Sequence, residues 1–178
     1  MSNIVTAYQT LEDRDNIDEI EFEGPFKCTR NDAWLGHGYY FWDTNMDWAI
    51  AWGNGSYSRQ GKNFVIGRCQ IDLSKECFDL LGCVAHWQEL LEIIGVFIES
   101  KKIKDPSQKI VPNIIMFMKK NGVFPYKSIR AADFHKNSLQ IYFKDDQKEY
   151  MVINQRVQIC VIDIKEVLLH PFSVIYPD

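Results

Sequence analysis

Residues 34–43, with the sequence WLGHGYYFWD, form the most unusual stretch of the chain. A GHG turn at 36–38 leads into four consecutive aromatic residues at 39–42, and Asp43 closes the stretch with a carboxylate. An aromatic run of this length, introduced by a glycine turn, is typical of a short buried strand. We therefore predict a strand over 39–42.

A helix is predicted directly after this strand. Asp43-Thr44 is a helix start signal, and Gly53 is a stop signal. Between them, Ala49 and Trp52 have the spacing of neighbouring faces of one helix. The chain thus predicts a strand and a helix in immediate succession.

The strand and the helix suggest a binding cleft. A flat ligand ring would fit between Tyr40 and Trp52 if both elements face one cleft, and Gly38 would let the backbone approach that ligand closely. The alternative is structural, because aromatic side chains usually pack on one another in a core. Composition alone favours the structural alternative.

Outward from this segment, apolar and alternating runs predict the remaining elements. Further strands are expected at 4–8, 63–71 and 158–164, a hairpin at 139–143 and 150–153, and helices at 85–100 and 111–120, with an acidic loop after the first strand. Strands outnumber helices, and regular crossover helices do not separate them. This order predicts an α+β protein with a mixed sheet and argues against a doubly wound Rossmann sheet. The GHG turn also lacks the third glycine of a dinucleotide fingerprint.

Composition places the chain among single-domain proteins with reduced thiols. Its 178 residues suit one domain, and five cysteines without a C-x-x-C pair argue against a disulfide framework or a zinc site. The scattered histidines have no ligand spacing, so we predict no metal. The first residues do not resemble a signal peptide, and no apolar run approaches the ~20 residues of a membrane span. We expect a cytoplasmic protein with no membrane partner.

Charge is distributed unevenly along the chain. Residues 101–136 hold nine basic and two acidic residues, a local excess of +7, although the net charge is −4. Such an excess can face a polyanion, whereas the simpler interpretation is a solvated face of surface helices. Single residues have the same ambiguity: Arg30 and Arg130 fit an anionic ligand or an ordinary surface position, and His37 is a candidate for contact with a nucleotide.

The motif at 36–43 resembles the G-x-G-[IV]-Y-F-x-[DE] strand of the ADP-ribosyltransferases, in the diphtheria-toxin and poly(ADP-ribose) polymerase branch. In that branch a helix follows with a small residue and, three positions later, an aromatic residue, which correspond here to Ala49 and Trp52. The same stretch also resembles small, uncharacterised bacterial members of the superfamily. The resemblance implies a single ADP-ribosyltransferase-like domain over residues 1–178, with a mixed, split β-sheet core and flanking helices.

Two further family elements are altered in this chain. The first strand of the family carries a His-Gly-Thr element that binds NAD, and the matching residues here are Tyr8, Gln9 and Thr10. The last strand of the family begins with a catalytic glutamate, and Gln158 stands at that position. The resemblance therefore implies that Gln158 and Tyr40 serve catalysis, and that Tyr8, Gln9, Thr10, Gly38, Ala49 and Trp52 bind NAD.

The resemblance implies NAD-dependent mono-ADP-ribosylation, with NAD as substrate and no metal. A carboxylate would stabilise the oxocarbenium-like transition state, and glutamine supplies no negative charge. Three hypotheses follow: a transferase, as in an intracellular toxin or defence factor with a cognate neutralising protein; a non-catalytic NAD or ADP-ribose binding module; and an enzyme that transfers ADP-ribose or phosphate on nucleic acid. The acceptor, protein or nucleic acid, is not determined by the sequence.

Overall fold

Nine strands and five helices make up the computed structural model, which describes residues 3–102, 111–133, 135, 138–146 and 148–177. The strands are β1 Ile4–Glu12, β2 Tyr39–Asp43, β3 Phe64–Asp72, β4 Cys77–Asp79, β5 Ser128–Asp133, β6 Leu139–Tyr142, β7 Tyr150–Ile153, β8 Arg156–Val161 and β9 Leu168–Tyr176. The helices are α1 Ile17–Glu23, α2 Met46–Ser56, α3 Val84–Glu99, α4 Val111–Lys120 and α5 Ile164–Val167, and a 3₁₀ turn spans Ser58–Gln60. In the described part of the chain, no helix combines the length and apolarity needed to cross a membrane.

Seven of the strands form one mixed sheet in the order β4-β5-β8-β2-β1-β3-β9, and β6 and β7 form a separate ladder. Strands β4 and β5 run parallel, whereas the other neighbouring pairs are antiparallel. The predicted α+β class with a mixed sheet is confirmed. The strands expected at 39–42 and 158–164 are both present, as β2 and β8, and they pair directly with each other, although β8 spans Arg156–Val161.

The ladder between β1 and β2 is unusually short. Only Ala7 with Asp43 and Tyr8 with Trp42 are paired, whereas β1 pairs with β3 along its whole length. The seven strands form one sheet in which β1 diverges from β2 beyond Tyr8, and the split core that the resemblance implies stays a prediction. The Gln9 side chain lies in the gap, where its Nε2 donates to the backbone oxygens of Phe26 at 2.9 Å and Tyr40 at 3.3 Å.

Apolar side chains cover both faces of the sheet. One cluster joins the centre of the sheet to α1 and β9, and includes Phe41, Ile71, Ile159 and Phe172. Separate clusters lie beneath α2 and beneath the pair of helices α3 and α4. Successive side chains of β2 and of β8 enter clusters on opposite faces of the sheet, so both strands are buried on both sides. Their nearly continuous apolar sequences are typical of such strands.

Two expected boundaries are wrong because local hydrogen bonds override the propensity signals. Helix α2 does not begin at Asp43-Thr44: the side chain of Asn45 caps it by accepting from the backbone N–H of Asp47 at 3.0 Å. Nor does α2 end at Gly53, which lies inside the helix. Glycine is needed there because the Phe64 ring occupies the space that a side chain would fill.

The expected acidic loop is also wrong. The acidic stretch continues β1 to Glu12 and then forms α1, which Ile20 anchors in the core with 3% of its surface exposed. Strands β4, β5 and β9 were not predicted. Their sequences lack clear alternation of apolar and polar residues, and their pairing partners are distant in sequence.

Gly38 lies at a close approach between β2 and β8, and its assignment to NAD binding stays a prediction. Its backbone N–H and C=O pair with those of Cys28 at 3.1 and 2.7 Å. A Cβ at this position would lie 2.4 Å from Cys160 Sγ and 2.8 Å from the Val161 oxygen. Glycine is therefore required by the close approach of β8.

We expect Gly38→Ala to lower the free energy of unfolding by about 1–3 kcal/mol, because the added methyl group collides with β8. The matched control is Gly55→Ala in helix α2, where an added Cβ meets no atom within 4 Å. That change should stabilise the helix by up to about 1 kcal/mol. Urea unfolding of both variants measures the difference, and equal stabilities would contradict this account of Gly38.

Candidate functional site

A cavity of about 490 Å³ opens where β1 diverges from β2. We call it the β1–β2 cavity. Its size lies within the range of small-molecule and cofactor sites. The lining side chains come from β1, the loop before β2, β2 itself, α2 and the turn after it, β5 and β8: Gln9, Thr10, Leu11, Phe26, Lys27, Cys28, Arg30, Asp32, Ala33, Trp34, Tyr40, Trp42, Trp52, Tyr57, Asp133, Arg156 and Gln158.

Residues expected from the sequence to bind or react with NAD meet in this cavity. The lining includes Gln9, Thr10, Tyr40, Trp52 and Gln158, which come from separate parts of the chain. Their convergence depends on the short β1–β2 ladder and on the direct pairing of β2 with β8.

Two other residues expected at the NAD site lie outside the cavity lining. Ala49 is completely buried, and its carbonyl oxygen accepts a hydrogen bond of 2.9 Å from the Thr10 hydroxyl. Tyr8 packs on the cluster of Trp42, Trp48 and Phe64 beneath α2. Both residues thus help to hold α2 against β1, and their assignment to NAD binding stays a prediction.

Gln158 is fixed by a hydrogen bond that the sequence did not predict. The indole nitrogen of Trp34 lies 2.5 Å from Gln158 Oε1. Indole N–H is only a donor, so the amide oxygen must face it. The Nε2 group, which has no partner among the described residues, is left to donate. Gln158 therefore offers a ligand hydrogen-bond donors.

The Tyr40 hydroxyl is already fully engaged. It accepts from the Leu35 backbone N–H at 2.9 Å and donates to the Gly36 oxygen at 2.7 Å. Burial raises the pKa of Tyr40 far above its ordinary value, so the phenol stays neutral at physiological pH. Its contribution to the site is an aromatic surface and a stable glycine turn, and not proton transfer.

Aromatic rings dominate one wall of the cavity. The rings of Trp42 and Trp52 lie 6.1 Å apart with an interplanar angle of 53°, and Trp52 is 39% exposed. The structure thus pairs Trp52 with Trp42, although the sequence suggested a clamp with Tyr40. The partly exposed Trp52 face is suited to stacking on a planar ring.

The acidic groups of the cavity are paired with arginines. Asp32 accepts two hydrogen bonds from Arg30, one from Nη2 and one from Nε, and the distance from Nε to Oδ1 is 2.8 Å. Asp133 binds Arg156 in the same two-contact manner, with 2.6 Å from Nε to Oδ1. Because Asp32 accepts these bonds, its pKa is lowered and it remains ionised. No glutamate is among the described lining residues, so the cavity holds no unpaired carboxylate there.

Arg130 forms two ion pairs inside the fold and does not line the cavity. Its Nε lies 2.6 Å from Asp43 Oδ2, and its Nη1 lies 3.3 Å from Asp79 Oδ2. Asp43 is almost completely buried, and its Oδ1 has no hydrogen-bond partner. Arg130 therefore neutralises a carboxylate at the end of β2. His37 is exposed and does not line the cavity.

The cysteines are free, and they differ in burial. Burial raises the pKa of Cys69 and of Cys160 to about 12, and that of Cys77 to about 11. Cys28 is half-buried and lines the cavity. Among the described residues no group of three or more His, Cys, Asp or Glu side chains is arranged to hold a metal.

The basic stretch of the sequence does not present all its charges to solvent. Lys127 pairs with Glu76 at 3.0 Å and with Glu166 at 3.2 Å, and Lys119 lies over the Phe124 ring. Lys104, Lys109, Lys136 and the acidic Asp105 lie outside the described residues. The nucleic-acid hypothesis for this stretch stays a prediction.

Comparison of the chain with protein-family models, with curated proteins and with solved structures gave no significant match. The functional interpretation therefore depends on the cavity and on the sequence motif.

Sequence reasoning missed Trp34, Trp42 and Arg156 in the cavity wall. Period-two alternation was the available signal for the last two. It places Trp42 on the same face of β2 as Tyr40, and Arg156 on the same face of β8 as Gln158. The hydrogen bond from Trp34 links residues 124 positions apart, and no local pattern predicts it.

Arg130→Met should lower the free energy of unfolding by about 3–5 kcal/mol, because it leaves the buried carboxylate of Asp43 without a counter-charge. Arg30→Met is the matched control. It removes an arginine from an ion pair whose side chains are 63% and 67% exposed, so it should change stability little. Chemical unfolding compares the two. Equal losses, or no loss in either, would refute the role of Arg130.

Proposed function

We propose that the β1–β2 cavity binds NAD and that the protein is a slow NAD-dependent ADP-ribosyltransferase. The observation that carries the proposal is the convergence of Gln9, Thr10, Tyr40, Trp52 and Gln158 on one cavity. The family resemblance assigns these residues to the NAD site from their positions in the sequence alone. Their meeting at a divergence in the sheet agrees with the split core that the resemblance implies.

The cavity offers NAD chemically suitable contacts. The exposed face of Trp52 can stack on the nicotinamide ring. The Nε2 group of Gln158 can donate to an oxygen of the carboxamide or of the ribose. Arg30 and Arg156 line the same cavity, and each is paired with an aspartate through two of its nitrogens. The remaining guanidinium N–H groups can donate to phosphate oxygens.

The proposed reaction breaks the bond between the nicotinamide nitrogen and the ribose C1′. The bonding electrons leave with nicotinamide, and an acceptor nucleophile bonds to C1′. Positive charge develops on the ribose in the transition state, and an enzyme accelerates the step by placing negative charge nearby. Gln158 is neutral, and Asp32 and Asp133 are balanced by arginines. We therefore propose low turnover, with an acceptor that needs no general base.

A binding module without turnover is the second candidate. The observation that favours it is the hydrogen bond between Trp34 and Gln158 Oε1, which uses the oxygen that would otherwise accept from the ribose. In this alternative the protein holds NAD or ADP-ribose as a signal or as a structural ligand. The same cavity serves both candidates, so ligand binding and nicotinamide release have to be measured separately.

NAD binding is expected to depend on Trp52. Trp52→Ala should weaken binding about tenfold or more, because it removes the stacking face. Trp87→Ala is the matched control, since Trp87 is 49% exposed on α3 and does not line the cavity. Isothermal titration calorimetry measures both affinities.

A separate experiment, thiol alkylation in the presence and absence of NAD, locates the bound NAD. NAD should slow the modification of Cys28, which lines the cavity, and leave that of Cys83 unchanged. Absence of NAD binding by the wild type, or equal affinities in both tryptophan variants, would refute the proposed site.

Substitutions of Gln158 test turnover. Gln158→Glu keeps an acceptor for Trp34 and adds negative charge, so nicotinamide release should rise, by as much as about 10²–10³ if the full electrostatic effect is restored. Gln158→Ala should reduce release, because the donor to the ligand is lost. Chromatographic measurement of free nicotinamide follows all three proteins.

Release that is indifferent to both changes at Gln158 would show that another residue carries catalysis. If no variant releases nicotinamide while all still bind NAD, the binding module is the correct function.

A further inference from the structure

A second cavity of about 390 Å³ adjoins the first. It shares the side chains of Trp42, Trp52 and Arg156 with the β1–β2 cavity, so these three residues form the boundary between the two. The complete lining is Trp42, Trp48, Ala51, Trp52, Gly55, Ser56, Arg59, His135 and Arg156. We call this space the cationic cavity.

Two arginines and one histidine are the basic residues that line the cationic cavity. Arg59 comes from the 3₁₀ turn after α2, Arg156 from β8, and His135 from the segment after β5. None of the described lining residues is an aspartate or a glutamate, whereas the β1–β2 cavity contains both Asp32 and Asp133. Asp133 pairs with Arg156, whereas Arg59 has no acidic partner among the described residues. An arginine that no carboxylate balances creates a positive potential, which favours an anion.

The groups that would meet this anion are held in place. Asp133 fixes Arg156 through Nε and one terminal nitrogen, and the other terminal nitrogen has no partner among the described residues. The indole N–H of Trp48 donates to the Asn154 oxygen at 3.2 Å, and the ring of Trp48 lies edge-on to His135 with centroids 5.1 Å apart. The wall is thus built by contacts between α2, β8 and their neighbouring loops.

We propose that the cationic cavity is a phosphate-binding site. Guanidinium groups match the geometry and charge of phosphate oxygens better than any other side chain does. The phosphate belongs either to a nucleotide whose aromatic ring occupies the β1–β2 cavity or to a second molecule bound beside it. The site is defined by its own residues, so its test does not depend on the proposed function.

Inorganic pyrophosphate is the probe for this site. Calorimetric titration at low ionic strength should show binding to the wild type, and Arg59→Gln should weaken it about tenfold by removing a charged donor. Arg68→Gln is the matched control: Arg68 is an exposed arginine on β3 that lines neither cavity. It removes the same charge and should leave the affinity unchanged.

A thermal unfolding curve accompanies each variant. Arg59 follows the C-terminus of α2, where a positive charge also stabilises the helix dipole. The titrations are therefore run at a temperature at which every variant is folded. Absence of pyrophosphate binding by the wild type would overturn the proposal. Equal weakening in the two arginine variants would also overturn it, because pyrophosphate affinity would then depend on the net charge of the protein and not on the position of Arg59.

Competition identifies the source of the phosphate. If NAD displaces pyrophosphate, the diphosphate of the nucleotide itself occupies the cationic cavity. If the two bind together, the site serves the phosphate of a second molecule. If pyrophosphate binds at Arg59 and NAD does not bind at all, the phosphate site stands and the function proposed for the β1–β2 cavity fails.

Discussion

The shortness of the β1–β2 ladder is the constraint on which the rest of the site depends. Backbone groups that leave a ladder inside a protein need other partners. Gln9 supplies them: its amide donates to the oxygens of Phe26 and Tyr40 and accepts from the Phe26 N–H. One side chain thus keeps the sheet open and ties the loop after α1 across the opening. The cavity wall formed by that loop, including Trp34, follows from this arrangement.

The hydrogen bond between Trp34 and Gln158 then decides what the open cavity can recognise. Because indole cannot accept, the amide of Gln158 is oriented with its donors toward the ligand. The hydroxyls of Tyr40 and Thr10 are likewise bound to backbone oxygens. The polar side chains that the sequence assigns to a ligand therefore form many of their hydrogen bonds within the protein. What they leave for recognition is aromatic surface, arginines and one amide.

The sequence was informative where a local pattern was strong. The aromatic strand, the long strand β3, the helices α3 and α4 and the hairpin of β6 and β7 follow from alternation and apolar spacing. The α+β class follows from their order. Strands β5 and β9 depend on partners distant in the chain, and the start of α2 depends on the side chain of Asn45. Gln158 and Trp52 were found through motif spacing, whereas the ion pair of Arg130 with Asp43 required the structure.

The aromatic motif itself serves two faces, and this limits what it says about chemistry. Tyr40 and Trp42 point toward the cavity, whereas Phe41 enters the core and Asp43 binds Arg130 on the opposite face. Half of the motif is thus explained by folding alone, as Gly38 is by the close approach of β8. A match at this motif is stronger support for a shared fold than for a shared reaction. Chemistry depends instead on the groups that line the cavity. Among these Gln158 is a neutral amide, and under the proposed function this neutrality is what would separate cleavage of NAD from binding alone.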